Sequence, residues 1–257
     1  MHYPRVYIDE PIECGEIIQL QDKSRHHLVN VLRAKIGDKI YVFNGQSNQQ
    51  ALAEILTINR KKLDIKIIQF VEVNRESPQQ ITLIQAISKN DKMDFSIQKS
   101  VELGVSVIQP VYTEKSARPL ADSRTSKRMA HWQQIIISAT EQSGRTQCPQ
   151  LCPPIPLTDF LKQRDHKRTA YILDPNAQTF PHHSAQPSLN IEVAIGPESG
   201  FTPSEVDAAK QAGMVPIGMG PRVLRTETAT VVALTWLQIS FGDLPLPGAH
   251  QPTVSLR

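Results

Sequence analysis

The spacing of apolar residues changes once along this chain, and that change decides which folds are open to it. Up to about residue 72 the apolar residues come in short runs, "RVYID", "EIIQL", "KIYVFNG", "ALAEILTI" and "LDIKII", several of them alternating with polar neighbours. Alternation at period two turns one side of each run to a core and the other to water, the pattern of a small antiparallel sheet or barrel. One helix interrupts the runs. Asp22 stands where an N-cap belongs, Leu28, Val29, Val31 and Leu32 form an apolar side, and Gly37 follows the end. Beyond "VEVNRESPQQ", residues 71–80, apolar strands alternate with longer helical patterns. The strands are "ITLIQAI", "VSVIQPVY", "AYILD", "IEVAI" and "MVPIGM"; the helices cover about 92–103, 123–143, 203–212 and 227–240. This is the signature of an α/β domain with a largely parallel sheet. Two domains are therefore expected, 1–72 and 78–257, with "CPQLCPPIP" and "PNAQTFPHHSAQP" as proline-marked loops.

A chain of 257 residues can bury the cores that this division requires. It holds no apolar run long enough to span a membrane. Its start, "MHYPRVYIDEP", lacks the basic, apolar and small-residue regions of a secretory signal, so a cytoplasmic protein is expected. Three cysteines, Cys14, Cys148 and Cys152, offer a C-x-x-x-C pair with no second pair to complete a zinc site, and read as free thiols. The histidine doublets His26-His27 and His182-His183 lack helical ligand spacing, and no metal is expected. Net charge is only +3, yet Lys23 to Lys35 carries four Lys/Arg, two histidines and no acid, and "SRTSKR" at 123–128 is a second basic cluster. Such clusters suit either a solvated face or a nucleic-acid partner.

In open α/β sheets ligands bind beyond the carboxyl ends of the strands, which directs attention to two loops. In "IEVAIGPESGFTPSEVDAAKQAG", Thr202, Pro203 and Glu205 make a helix start with a capping box, and Phe201 and Val206 stand where a hydrophobic staple would. This leaves Gly196 to Gly200 without a structural account beyond a tight turn; the spacing matches neither GxGxxG nor a Walker A loop. In "MGPRVLRTETATVVALTW", Thr226 can cap the last helix with Glu227 favourably placed at its positive end, but capping leaves Arg222 and Arg225 unexplained. The helix that follows is apolar on almost every face, as in a domain core or subunit interface. Lys89 and Lys92 follow the first strand of this domain, ahead of a helix whose Met93, Ile97 and Val101 face a core. "EQSGR" ends a helix at Gly144 and leaves Arg145 beyond it.

Together, "KNDKMDFSIQKSVELGV", "EQSGR", "IGPESGF" and "GPRVLRTETA" resemble the RsmE family, SPOUT-superfamily methyltransferases that modify N3 of a uridine in 16S ribosomal RNA. The resemblance runs from "YPRVYI" to "SFGDL". It implies a PUA-like RNA-binding β-barrel followed by a SPOUT α/β domain with a deep trefoil knot, a homodimer, and S-adenosylmethionine as cofactor. None of these last three follows from periodicity, and knots are rare. Carried over residue by residue, it places Gly196, Pro197, Glu198, Gly200, Met219, Gly220, Leu224 and Thr226 around the cofactor. Where the family usually has a second glycine this chain has Ser199, which at a positive φ would cost on the order of 1 kcal/mol.

The chemistry implied is displacement at a sulfonium by uracil N3, which becomes nucleophilic as its proton leaves and charge spreads to O2 and O4. An arginine aimed at those oxygens would stabilise the developing anion, and Arg225 is the candidate. Glu198 and Glu227 both qualify as the proton acceptor if burial raises their pKa. Arg5, Arg25, Arg33, Lys89, Lys92 and Arg145 are the proposed grips on the RNA backbone of the small subunit. Two other functions suit the same residues: a SPOUT enzyme methylating a ribose 2′-hydroxyl, and a non-catalytic ribosome-assembly factor.

Overall fold

The computed structural model describes residues 3–116, 122–177 and 189–244; His182 and His183 lie outside these. By packing, the chain forms two compact units. One runs up to Glu76 and includes Ile137–Cys148; the other comprises Ser77–Ile136 and the residues from Pro149 onward.

The first unit is a curled five-stranded sheet. Its elements are β1 (Arg5–Tyr7), β2 (Ile17–Gln21), α1 (Asp22–His26), a π-helical turn (His27–Val31), β3 (Lys39–Phe43), β4 (Gln49–Ile58) and β5 (Lys62–Glu72), with strands in the order β1-β3-β4-β5-β2. The pairs β3/β4, β4/β5 and β2/β5 are antiparallel, while β1 joins β3 in parallel. Register shifts at Leu52/Ala53 and Ile55/Thr57 bend β4, as bulges do. The alternation read from the sequence is the inward face: Ile40, Val42, Ala51, Ala53, Ile55, Leu63, Ile65 and Ile67 form one core with Leu28.

The helix of this unit departs from expectation. Leu28 is buried, but Val31 and Leu32 are 59% and 42% exposed. After His26 the helix widens into the π turn, so later residues rotate off the face that 3.6-residue spacing assigns them. The turn closes through Leu32 N–H to His27 O (3.0 Å) and Ala34 N–H to Leu28 O (2.9 Å), leaving Arg33 in the left-handed region at φ 55°.

In the second unit, β6 (Gln80–Ala86), α2 (Asn90–Glu102), β7 (Val107–Tyr112), α3 (Asp122–Ser143), β8 (Gln150–Leu151), β9 (Ile155–Pro156), α4 (Leu157–Gln163), β10 (Thr169–Leu173), β11 (Asn190–Ile195), α5 (Pro203–Gln211), β12 (Val215–Ile217) and α6 (Thr226–Phe241) follow in turn. All its strand pairs are parallel, in the order β12-β10-β11-β6-β7-β8, with β9 also on β7. The chain moves outward from β6 to β7 and β8, then returns to the other side, so the strand order reverses between β6 and β11. That reversal is where open α/β sheets place ligands. The stretch read as a proline-marked loop in fact holds β8 and β9, each of two residues, and runs on into the seven-residue α4. All three are too short to show a period.

α6 is less enclosed than its composition suggested. Thr230, Ala233, Leu234 and Leu237 are buried, but Val232 and Ile239 are 36% and 37% exposed.

Candidate active site

The exits of β10, β11 and β12 converge with the first turn of α6 on a cleft of about 210 Å³. The β11 exit is a closed turn, with Gly200 N–H donating to Pro197 O (2.9 Å). Gly200 needs its freedom at φ +68°, whereas a Cβ on Gly196 would crowd the Phe201 nitrogen at 3.1 Å. Ser199 is not in the left-handed region, since Arg33 is the one non-glycine with positive φ among the described residues. The strain expected there is absent. Beyond the turn, Thr202 and Glu205 form the capping box, and Phe201 packs with Val206 in one apolar cluster, as the sequence indicated. The β12 exit depends on Gly218, where a Cβ would strike the Ala177 carbonyl oxygen, and on Gly220 at φ +89°.

Gly196, Pro197, Glu198, Gly200, Met219, Gly220, Leu224 and Thr226 all line this one cleft. So do Leu173, Asp174 and Pro175 of the β10 exit, which the sequence reading passed over because "YILDPNAQ" looked like a strand running into a plain proline loop. Arg222 is also in the wall, but Arg225 and Glu227 are not.

Thr226 does not cap α6. The N-cap is Arg225, which is exposed and makes no side-chain cap bond. The Thr226 hydroxyl instead donates to Gly196 O (2.7 Å), reaching across to the other loop. Glu198 Oε1 accepts the Lys89 N–H (3.2 Å) and lies 3.4 Å from Lys92 Nζ. Partial burial opposes its ionisation, but hydrogen bonds from its own and the Lys89 N–H and the charge of Lys92 outweigh that and hold the carboxyl below the usual range. This is the reverse of the raised pKa expected of a proton acceptor. Glu227 carries a buried Oε2 without a hydrogen-bond partner.

The basic residues divide by burial. Arg145 is 4% exposed, with Nη2 at 2.5 Å and Nε at 2.9 Å from Glu76 Oε2. The guanidinium of Arg5 donates to the carbonyls of Thr140, Glu141 and Arg145 and to Gln50 Oε1, and lies over the Phe43 ring. Burial and repulsion from Arg75 lower its pKa to about 10 against the pull of Glu141. Both arginines are thus internal ties of the first unit, their guanidinium groups spent on protein partners, with Arg145 buried and Arg5 half-buried. Arg33 and Lys89 are exposed, Arg25 donates to Asn59 O (2.8 Å), and Lys92 is half-buried in its pair with Glu198. No group of three or more His, Cys, Asp or Glu is placed to hold a metal among the described residues. Likewise no helix there is long and apolar enough to cross a membrane.

Comparison with known proteins places this geometry. Residues 75–238 match the family model of an RNA methyltransferase domain, and residues 20–68 that of an RNA methyltransferase PUA domain. The chain is 40% identical to the ribosomal RNA small subunit methyltransferase E of Buchnera aphidicola subsp. Schizaphis graminum, over 94% of this chain and 98% of that one. It is 30% identical to the enzyme of the same name from Bacillus subtilis, over 88% and 91%. Among solved structures it is similar to a ribosomal RNA small subunit methyltransferase E from Neisseria gonorrhoeae bound to S-adenosylmethionine, with a TM-score of 0.88 and 38% identity, covering 95% of this chain and 100% of that one. A methyltransferase from Legionella pneumophila in complex with the same cofactor gives 0.88 and 37% over the same shares. A methyltransferase model matched over more than half of the sequence, and relatives this similar along nearly their whole length, establish that the chain belongs to the ribosomal RNA small subunit methyltransferase E family of RNA methyltransferases.

Proposed function

We propose that this chain methylates N3 of a uridine in 16S rRNA of the small ribosomal subunit, with S-adenosylmethionine bound in the cleft at the exits of β10, β11 and β12. The observation that carries the reading is the convergence of Gly196–Gly200 with Met219, Gly220, Leu224 and Thr226 on one cleft in a chain of this family. The lining suits the donor: Ile195, Ile217, Met219 and Leu224 offer apolar walls for an adenine, and the glycine-containing turns bring backbone groups close. Bound there, the donor supplies an electrophilic methyl group on a sulfonium.

The remaining work falls to this chain's side chains. Arg225, exposed beside the cleft, stabilises negative charge on the uracil oxygens as the N3 proton leaves. Of the two carboxylates weighed as acceptor of that proton, Glu198 is committed to Lys92 and the Lys89 N–H, whereas Glu227 has an oxygen with no partner. The proton acceptor is one of these two: Glu198 lines the cleft, while Glu227 stands outside its wall with that oxygen buried. Arg25, Arg33 and Lys89 hold the RNA backbone, and the N-terminal unit serves as its platform. The stripe of Val232 and Ile239 on α6 supports a homodimer, in which the knotted second domain would pair with its copy in the cytoplasm. Domains 1–72 and 78–257 divide RNA affinity from donor binding.

The test is methylation of small subunits purified from cells lacking the enzyme, with the modified nucleoside mapped by mass spectrometry. 3-Methyluridine supports the reading. A 2′-O-methyl nucleoside, or protein that binds no S-adenosylmethionine by calorimetry, replaces it with one of the alternatives.

A further inference from the structure

Beneath the cleft lies a polar residue in a place built for apolar ones. Gln85, on the central strand β6, is fully buried, and its amide reaches neither solvent nor the cleft. A buried amide must find partners. Gln85 finds them in the first turns of α6: Thr230 Oγ1 donates to Gln85 Oε1 (2.9 Å), and Gln85 Nε2 donates to Thr226 Oγ1 (3.2 Å). Thr226 Oγ1 then donates to Gly196 O (2.7 Å).

The direction of this relay is determined at each link. Thr230 has a single hydroxyl proton, with Gln85 Oε1 and the Thr226 carbonyl both at 2.9 Å. Gln85 Nε2 also donates to the Ala86 carbonyl (3.2 Å), which can only accept, so the amide faces Thr230 with Oε1 and the Thr230 proton goes to Gln85. With Oε1 accepting from Thr230, the amide presents N–H to Thr226. Thr226 Oγ1 therefore accepts there, and its own proton is free for Gly196 O alone. Three bonds polarised in one sense also reinforce one another in a dry interior.

We infer that Gln85 is a positioning residue for the donor cleft: by orienting the Thr226 hydroxyl it locks the Gly196–Gly200 turn of β11 to the start of α6. The inference rests on the reading of this cleft as the donor site. It also bears on Thr226, whose hydroxyl proton is committed to Gly196 O and so is not offered to the donor.

The test uses the full chain with Gln85→Met, which keeps the volume and removes the amide, with Thr226→Val, and with the double variant. In Gln85→Met, Thr226 can still donate to Gly196 and Thr230 to its own helix, so no buried donor is stranded and the fold should survive. S-adenosylmethionine affinity by calorimetry should fall roughly tenfold in each single variant, the scale of one net hydrogen bond. The double variant should be little worse than the weaker single, because both break one relay. Gln85→Met binding as tightly as wild type, or losses that multiply in the double variant, would overturn the inference. Hydrogen exchange without donor gives a second reading: amides of 196–200 and of the first turn of α6 should exchange faster in Gln85→Met, with β10 unchanged. Uniform loosening of the sheet would assign Gln85 to general packing. If Gln85→Met does not fold, Gln85→Glu serves. A neutral carboxyl keeps the two links of the relay, one donation to Thr226 and one acceptance from Thr230, and a carboxylate cannot donate, so affinity should fall as pH rises through the raised pKa of a buried acid. A pH profile parallel to wild type would sink the relay. Wild-type protein that binds no donor defeats the functional reading, and the exchange experiment still judges Gln85.

Discussion

Replacing Glu198 with glutamine separates two roles that a carboxylate in this cleft can play. The Lys92–Glu198 pair is 3.4 Å long with side chains 26% and 31% exposed, so water screens it; such pairs contribute about 0.2–1 kcal/mol. The Glu198→Gln side chain would keep an oxygen for the Lys89 N–H, at 3.2 Å in the wild type, and lose only the attraction to the ammonium. Donor affinity should therefore fall by no more than about fivefold, and the single-turnover methylation rate of small subunits at saturating donor should stay within about threefold of wild type. A general base would behave otherwise, its removal costing about 10²–10⁴ in rate. The lowered pKa of Glu198 points the same way, and its sign can be followed. A folded value below the unfolded value of about 4.3 means that the contribution of the ionised group is complete above that pH, and is lost as pH falls through the folded value. Donor affinity should accordingly show no titration of Glu198 between about pH 6 and 8. A hundredfold fall in single-turnover rate with donor affinity intact would refute the argument and make Glu198 the base.

Arg225→Ala should lower single-turnover methylation by roughly a hundredfold at saturating RNA while leaving donor affinity nearly unchanged, as loss of one oxyanion donor does. Collapse of donor binding, measured by calorimetry, would instead make Arg225 a support of the cleft. Gly220→Ala, with open space around its Cβ but φ at +89°, should weaken the donor about fivefold through backbone strain of about 1 kcal/mol. Gly218→Ala, at an ordinary φ, must instead displace the Ala177 carbonyl oxygen, and calorimetry should rank it clearly worse. Arg145→Met strands Glu76 in a poorly solvated site and should cost about 3 kcal/mol in denaturant unfolding with donor affinity preserved. Unchanged stability with weakened RNA binding would return Arg145 to the RNA grips.

Period-two alternation in 1–72 and strand–helix alternation after 80 were legible because each reflects a face buried against a core, as Ile40, Ala53 and Ile65 are in one unit and Ile84, Ala170 and Ala194 in the other. Local chemistry was legible for the same reason at Thr202–Glu205, where cap, proline and glutamate all lie within one turn. What could not be read depends on residues distant in sequence. Nothing in "EQSGR" announces that Arg145 meets Glu76, nor in "YPRVYI" that Arg5 reaches the carbonyls at 140, 141 and 145. An arginine past a helix end looks the same whether it faces water or a buried carboxylate. Val31 and Leu32 were misplaced because a π turn leaves the residue types of a helix unchanged and alters only its phase.

Thr226 shows the same limit and a consequence for the mechanism. A threonine before a glutamate at a helix start reads as a cap, since a cap needs only the next three residues; here its hydroxyl spans from β6 to the β11 exit, which no local pattern contains. Capping the helix would have required the side chain to turn back on its own amides. With Thr226 committed inward, the N-cap falls to Arg225, whose backbone is extended at φ −66° and ψ 154° and whose carbonyl accepts from Ala229 N–H (2.8 Å). One peptide bond thus separates a residue buried under the donor cleft from an exposed cation. A charged side chain on the exposed side of that bond costs the cleft nothing in desolvation until a base arrives. The arrangement therefore favours an arginine that acts on the acceptor and is indifferent to the donor, the pattern that the Arg225→Ala comparison is designed to detect.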